Sequence, residues 1–100
     1  GSPGEYVDFA ASKAAIDTMT LGLAREIAEE GIRVNAVRPG FIDTEIHQSG
    51  GEPQRMERVR PFVPMKRVGQ PDEVADALLW LLSEEASFII GTILDISGGR

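Results

Sequence analysis

Lys13 is the residue whose neighbours most clearly suggest chemistry. Phe9 lies four residues before it, and side chains at positions i and i+4 project from the same face of a helix. A tyrosine at position 9 would bring a phenol within reach of the Lys13 ammonium, and such a pair donates protons. Phe9 has no ionisable proton, so this face lacks the phenol of such a pair.

The element that positions Lys13 is predicted to be a helix over residues 8–30. Residues 1–7 are predicted to be a loop because they contain proline and glycine, and Asp8 is the expected N-cap. Gly31 follows at the position where a left-handed residue commonly ends a helix. Four apolar residues recur at intervals of three and four, which predicts one buried stripe: Ile16, Met19, Leu23 and Ile27.

The composition is that of an ordinary globular domain and excludes several classes of function. Of 100 residues, 42% are hydrophobic and 26% are charged, which suits one small domain. The formal net charge of −6 would repel a phosphate backbone, so we expect no nucleic-acid partner. No cysteine is present, which excludes disulfide and thiolate chemistry, and we expect no metal site. Apolar runs are shorter than the ~18 residues of a membrane span, so we expect no membrane partner and a cytoplasmic location.

Two strands and a second long helix are predicted after the first helix. Residues 32–37 read as a mostly buried strand, which Pro39 should end because proline cannot donate to a sheet. A helix over 71–83 has proline at its first position and acids in its first turn. Apolar residues cover most of its circumference, so we expect burial on more than one side. A second buried strand is predicted over 88–96.

Residues 41–69 form the most polar and least periodic part of the chain. A short helix is predicted near residues 54–60. A loop of this length inside a compact domain is uncommon and usually functional. We therefore interpret residues 41–69 as a substrate lid, with an ordinary surface insertion as the alternative.

The order helix, strand, loop, helix, strand predicts an α/β fold. Two buried strands bridged by a helix form a parallel pair with a right-handed crossover. Such a pair leaves both sheet edges bare. We therefore expect the end of a larger fold, either a fragment or a chain completed by a second copy.

Five segments, in this order, resemble the motifs of one family. Residues 9–15 resemble a Tyr-x-x-x-Lys helix, and residues 31–40 resemble a strand that ends in Pro-Gly. The others are Thr44, residues 69–75 and residues 91–99. Together they resemble the short-chain dehydrogenase/reductases, which bind NAD or NADP on a doubly wound Rossmann-type parallel sheet. The resemblance implies that residues 1–100 are the C-terminal part of one such domain, incomplete without its N-terminal dinucleotide-binding half.

The resemblance implies a catalytic role for the first helix. In the family, the tyrosine exchanges a proton with the substrate's carbonyl or hydroxyl group. The lysine lowers the pKa of that phenol and hydrogen-bonds the nicotinamide ribose. Lys13 matches the lysine, and Phe9 stands at the position of the tyrosine.

The resemblance also implies cofactor contacts after the first strand. Pro39 and Gly40 would line the nicotinamide, together with Ile42, whose backbone would face the carboxamide. The Thr44 hydroxyl would lie near the carboxamide or the pyrophosphate. Residues 41–69 would be the variable substrate-binding loop.

Phe9 is the most important departure from the family pattern. Loss of a general acid typically costs on the order of 10²–10⁴ in rate. The family's Gly-rich pyrophosphate turn, catalytic serine and asparagine would all precede residue 1. We therefore expect a fragment of an NAD(P)-dependent oxidoreductase acting on a carbonyl or secondary alcohol, such as a sugar, that is inactive as this chain. The substrate and the choice between NAD and NADP stay open.

Two other functions stay open. The alanine-rich early face of the first helix and the apolar second helix suit a non-catalytic oligomerisation or binding module derived from the same fold. Members of the family build subunit contacts with these helices, so we expect a homo-oligomer. A hydrolase using His47 with Ser49 or Asp43 is the weaker alternative, because catalytic triads are rarely local and no Gly-x-Ser-x-Gly turn is present.

Overall fold

The computed structural model describes residues 3–44 and 54–100. Within these residues the main elements are the following, in chain order: helix α1 (Pro3–Ile27), strand β1 (Ala36–Pro39), helix α2 (Arg55–Val59), helix α3 (Pro71–Leu82) and strand β2 (Ile93–Ile96). Short 3₁₀ helices follow α1, α2 and α3 at Ala28–Glu30, Arg60–Phe62 and Glu84–Ala86.

The two strands pair with each other in a two-stranded sheet. The Ala36 N–H donates to the Thr92 carbonyl at 2.9 Å, and the Gly40 N–H donates to the Ile96 carbonyl at 3.0 Å. Both strands advance in the same direction between these bonds, so the pair is parallel. This confirms the predicted α/β class and the parallel arrangement.

The chain divides into two compact units. The first comprises Gly1–Ala36 and Ser87–Ile93, and the second comprises Val37–Ala86 and Leu94–Arg100. Each has a small core of its own among the described residues. Ala24 and Thr20 are buried in the first unit, and Val63, Leu81 and Ala86 are buried in the second.

Helix α1 begins earlier than predicted. It starts at Pro3, so the predicted loop is wrong over residues 3–7, and Asp8 lies exposed within the helix instead of capping it. Proline is favourable in a first helical turn, because its fixed φ suits the helix and its missing N–H would have no intrahelical partner there. Gly31 is left-handed at φ 79° and ends the Ala28–Glu30 turn, as predicted.

The face of α1 that is buried differs from the predicted stripe. Ile16 is 53% exposed and Met19 is 63% exposed, whereas Ala24 is completely buried. The buried side of α1 approaches the backbone at Gly91, where an added Cβ would lie 3.0 Å from Leu21 Cδ1. Leu21 and Ala24 therefore face Gly91, while Ile16, Met19 and Leu23 of the predicted stripe are exposed.

Strand β1 is shifted toward its C-terminal end relative to the prediction over 32–37. It covers Ala36–Pro39 and includes the proline that was expected to end it. Alternate N–H groups along a strand point to opposite sides, and Ala36 and Gly40 donate to β2. The N–H that Pro39 lacks would point away from β2, so proline costs this sheet no hydrogen bond.

Strand β2 is shorter than the predicted strand over 88–96. It starts at Ile93, and Phe88 is fully exposed rather than buried. Gly91 has φ of +70°, a left-handed conformation that interrupts extended backbone. Residues before this glycine therefore lie outside the strand.

Helices α2 and α3 lie where they were predicted. Helix α3 begins at Pro71 and ends one residue earlier than expected, at Leu82. Its predicted burial on several sides is wrong within the described structure, because only Leu81 is buried in this helix. Leu79 is 66% exposed and Leu82 is 77% exposed, since the chain packs against one side of α3.

Candidate functional site

The predicted shared face of Phe9 and Lys13 is confirmed. The Lys13 Nζ atom lies 5.1 Å from the centroid of the Phe9 ring, and both side chains are exposed on α1. An ammonium at this distance is attracted by the negative face of an aromatic ring. The contact orients Lys13, but the Phe9 ring has no ionisable proton to transfer.

Gly40 follows the end of β1 in the second unit and lies against the turn after β2. A Cβ at position 40 would lie 2.9 Å from Ser97 Cβ and 3.0 Å from Ser97 Cα. Because one of these atoms belongs to the backbone, a side chain at this position would force the two segments apart. Pro39 precedes this contact and is exposed.

Ile42 is held between two backbone hydrogen bonds to Gly69. The two residues form an isolated parallel bridge, in which Gly69 N–H donates to Phe41 C=O at 2.9 Å and Asp43 N–H donates to Gly69 C=O at 2.9 Å. Peptide groups alternate in direction along extended backbone. The N–H and C=O of Ile42 itself therefore point away from Gly69, and the two ends of segment 41–69 meet at this bridge.

Arg67 and Glu73 form a bidentate ion pair beside the bridge. Arg67 Nη1 donates to Glu73 Oε1 at 2.7 Å, and Nη2 donates to Oε2 at 2.9 Å. The Gln70 N–H donates to the same Oε1 atom at 3.0 Å. These hydrogen bonds, from Arg67 first and then from Gln70, lower the pKa of Glu73 to about 2. The carboxylate raises the pKa of Arg67 in turn.

A cavity of about 260 Å³ lies beside the bridge in the second unit. Its lining combines apolar side chains with the Arg67–Glu73 pair and Asp95: Phe41, Ile42, Met65, Arg67, Gly69, Glu73, Asp95, Ile96, Ser97 and Gly98. Asp95 is paired with Arg38 at 3.2 Å. The Arg100 guanidinium carbon lies 4.7 Å from the centroid of the Phe41 ring.

The predicted site residues fall into two groups. Phe9 and Lys13, which is also a predicted cofactor-binding residue, lie in the first unit. The other predicted cofactor-binding residues lie in the second: Pro39, Gly40, Ile42 and Thr44. Thr44 is half-buried.

The predicted hydrolase residues are only partly described. His47 and Ser49 lie outside the described residues, and the Asp43 N–H is part of the bridge to Gly69.

The described residues contain no group of three or more histidine, cysteine, aspartate or glutamate side chains able to hold a metal ion. In residues 3–44 and 54–100, no helix has both the length and the apolar character needed to cross a membrane.

No role was predicted for Gly69, Arg67 or Glu73. Residues 69–75 resemble a family motif, and a helix is predicted to begin within them. A glutamate at the third helical position often reaches back to the N-cap N–H, which is the bond that Glu73 accepts from Gln70. That signal could have found the local contact, although not the pairing with Arg67.

Comparison with known proteins identifies the family. The family model described as enoyl-(acyl carrier protein) reductase matches residues 2–100. The chain is 62% identical over 100 residues to the uncharacterized oxidoreductase YgfF of Escherichia coli. The alignment covers 100% of this chain and 40% of YgfF. It is 43% identical over 99 residues to the 3-oxoacyl-(acyl-carrier-protein) reductase FabG of Thermotoga maritima, covering 99% of this chain and 39% of that one.

A solved structure agrees with these sequence matches. A hydroxysteroid dehydrogenase from Escherichia coli superposes with a TM-score of 0.82 at 38% identity, over 93% of this chain and 39% of that chain. The chain belongs to the short-chain dehydrogenase/reductase family. It spans about 40% of the length of YgfF.

Proposed function

We propose that this chain is the C-terminal part of an NAD(P)-dependent oxidoreductase for a carbonyl or secondary alcohol, and that Phe9 leaves it without the proton donor of hydride transfer. The observation that carries the proposal is the exposed pair on α1, with Lys13 Nζ 5.1 Å from the Phe9 ring. Membership of a family whose oxidoreductases generally use NAD(P) supports it. The chain is expected to be inactive by itself.

In the first unit, we assign cofactor binding to Lys13. Its ammonium is a donor suited to the ribose hydroxyl groups of a nicotinamide dinucleotide. The Phe9 ring retains the flat apolar surface of the family's tyrosine but not its hydroxyl group. Substrate and cofactor contacts therefore remain possible at this face while proton exchange does not.

In the second unit, we assign contacts with the nicotinamide ring to Pro39, Gly40 and Ile42. The outward N–H and C=O of Ile42 offer one donor and one acceptor, which match the acceptor and donor of a carboxamide. Thr44 offers a hydroxyl group to the carboxamide or the pyrophosphate. When bound, the nicotinamide would donate a hydride to the substrate or accept one from it.

The names of two relatives support a proposal for the substrate class. One is named a 3-oxoacyl-(acyl-carrier-protein) reductase and another a 3beta-hydroxysteroid dehydrogenase. A ketone or its secondary alcohol is common to both names. We propose the same reacting group here, with segment 41–69 contributing the substrate-binding loop.

Binding of dinucleotide to the whole gene product tests this proposal. Titration with NADH and with NADPH, followed by cofactor fluorescence, should give saturable binding. Lys13→Met should weaken it roughly tenfold, as expected when a charged hydrogen-bond donor is lost. Arg25→Met, which removes another cation of α1, should leave binding unchanged. Failure of both dinucleotides to bind would contradict the proposal.

A second candidate function is a non-catalytic assembly module. The exposed residues Ile16 and Met19 on α1, and Leu79 and Leu82 on α3, give two helices with outward apolar faces. Apolar patches of this kind often mark contacts between subunits. Sedimentation velocity should then show a homo-oligomer that Met19→Glu weakens, and a folded, strictly monomeric protein would remove the basis for this candidate.

A further inference from the structure

The backbone of Ile42 is positioned by a chain of contacts that ends on helix α3. Gly69 bonds to both neighbours of Ile42 at 2.9 Å. Two residues before Gly69, the Arg67 guanidinium binds both carboxylate oxygens of Glu73 in the first turn of α3. The same carboxylate accepts from the Gln70 N–H. The stretch around Gly69 is therefore tied to the helix on both sides.

We propose that Arg67 and Glu73 are positioning residues, whose ion pair holds Gly69 so that the outward N–H and C=O of Ile42 recognise the amide group of a nicotinamide. The inference rests on the proposed function, because it assigns the Ile42 backbone to the cofactor. It adds that the Arg67–Glu73 ion pair keeps that backbone in place.

The close approach at the bridge makes Ile42 sensitive to the position of Gly69. A Cβ added to Gly69 would lie 2.8 Å from Ile42 Cδ1, so the end of the Ile42 side chain lies directly against Gly69. Glu73 has its pKa lowered to about 2 by Arg67 and Gln70. The pair therefore stays charged at any physiological pH, and the bridge is held permanently rather than switched.

A neutral substitution at Glu73 separates this role from general stability. Glu73→Gln keeps the size of the side chain and an acceptor for the Gln70 N–H, but removes the charge that binds Arg67. Asp76→Asn is the matched control, because it makes the same charge change at an exposed position one turn further along α3.

Hydrogen exchange of the whole gene product measures the bridge directly. In Glu73→Gln, the amides of Asp43 and Gly69 should exchange about two- to fivefold faster, the range expected when an exposed ion pair is lost. Asp76→Asn should leave both rates unchanged. Equal rates in the two variants would overturn the proposal, whether or not a cofactor binds.

Recognition of the amide is measured with a cofactor analogue. A 3-acetylpyridine dinucleotide keeps the carbonyl acceptor of the ring substituent but replaces the amide donor with a methyl group. The wild-type protein should prefer the normal dinucleotide, and Glu73→Gln should reduce that preference about two- to fivefold. Faster exchange with an unchanged preference would overturn the positioning role. If the wild-type protein binds no dinucleotide, the proposed function and this inference both fail. If the wild-type protein binds dinucleotide but Glu73→Gln does not show the expected changes, this inference fails and the proposed function stays intact.

Discussion

We propose that Phe9 stands where the family has its tyrosine. The two side chains differ by one hydroxyl group, which in the family is the group that exchanges a proton. Lys13 lies at 5.1 Å from the centroid of the ring, close enough to bias the pKa of a phenol at that position. With phenylalanine, the ammonium contributes only a cation–π contact, worth about 0.5–1 kcal/mol at an exposed site. On this proposal, Lys13 has no phenol to tune and keeps only its role as a donor to the cofactor.

Glu73 gives a pH-dependent prediction at the scale of a single residue. Arg67 and Gln70 lower the pKa of this carboxyl group from 4.5 to about 2 in the folded protein. A depressed pKa means that the contribution of Glu73 to stability is fully present above about pH 4.5. It is lost as the pH falls toward 2, where the folded protein also binds the proton.

The free energy of unfolding of wild type and Glu73→Gln, measured by urea across this pH window, checks the prediction. The difference between the two proteins should shrink steadily as the pH falls. The same comparison in an Arg67→Met background should show a much weaker dependence on pH. A difference that stays constant down to the acid end of the window would contradict the assignment.

At the scale of elements, a side chain joins the segments that lead into the two strands. Asn35 Nδ2 donates to the Ile89 carbonyl at 3.0 Å, and the Thr92 N–H donates to Asn35 Oδ1 at 3.0 Å. The backbone adds the bond from Gly91 N–H to Val34 C=O at 2.8 Å. The register of the parallel pair is therefore set before β1 and β2 begin.

Asn35→Ala should destabilise the protein by about 1–3 kcal/mol, because it leaves a partly buried carbonyl and a partly buried N–H without partners. Asn35→Asp should restore little of this loss. It keeps an acceptor for Thr92 but places a carboxylate oxygen against the Ile89 carbonyl. Urea unfolding of the three proteins provides the measurement, and a loss below about 0.5 kcal/mol in Asn35→Ala would show that water replaces the amide.

The elements differ in how far their sequence predicts them. The start of α3 was predictable because Pro71 and the acids after it act locally. The boundaries of β1 and β2 were not, because strand pairing depends on a distant segment and on the left-handed Gly91. The prediction of which face of α1 is buried was also wrong. Periodicity shows that one stripe is apolar, but it does not show which face of the helix another part of the chain covers.

At the scale of the whole molecule, the chain has small cores and many large apolar side chains in contact with solvent. Phe88 is fully exposed, and Leu82 is 77% exposed. The chain matches about 40% of the length of YgfF. We therefore place the proposed activity in the whole gene product and not in these 100 residues alone.

The candidate site shows the same division between local and distant information. The Phe9–Lys13 face could be predicted because both residues lie on one helical turn. The contact of Ile42 with Gly69 could not, because it joins the two ends of an irregular segment. The resemblance supplied Ile42 as a cofactor residue, and the structure adds the contacts that hold it.

Phe9→Tyr is the measurement that tests the central claim most directly. The whole gene product and this variant should be compared for NADH- or NADPH-dependent reduction of a panel of ketones, with Phe9→Leu as the control that changes the ring without adding a hydroxyl group. The tyrosine variant should gain on the order of 10²–10⁴ in kcat, and Phe9→Leu should gain nothing. A wild-type protein as active as Phe9→Tyr, or a tyrosine variant with no gain despite bound cofactor, would contradict the account.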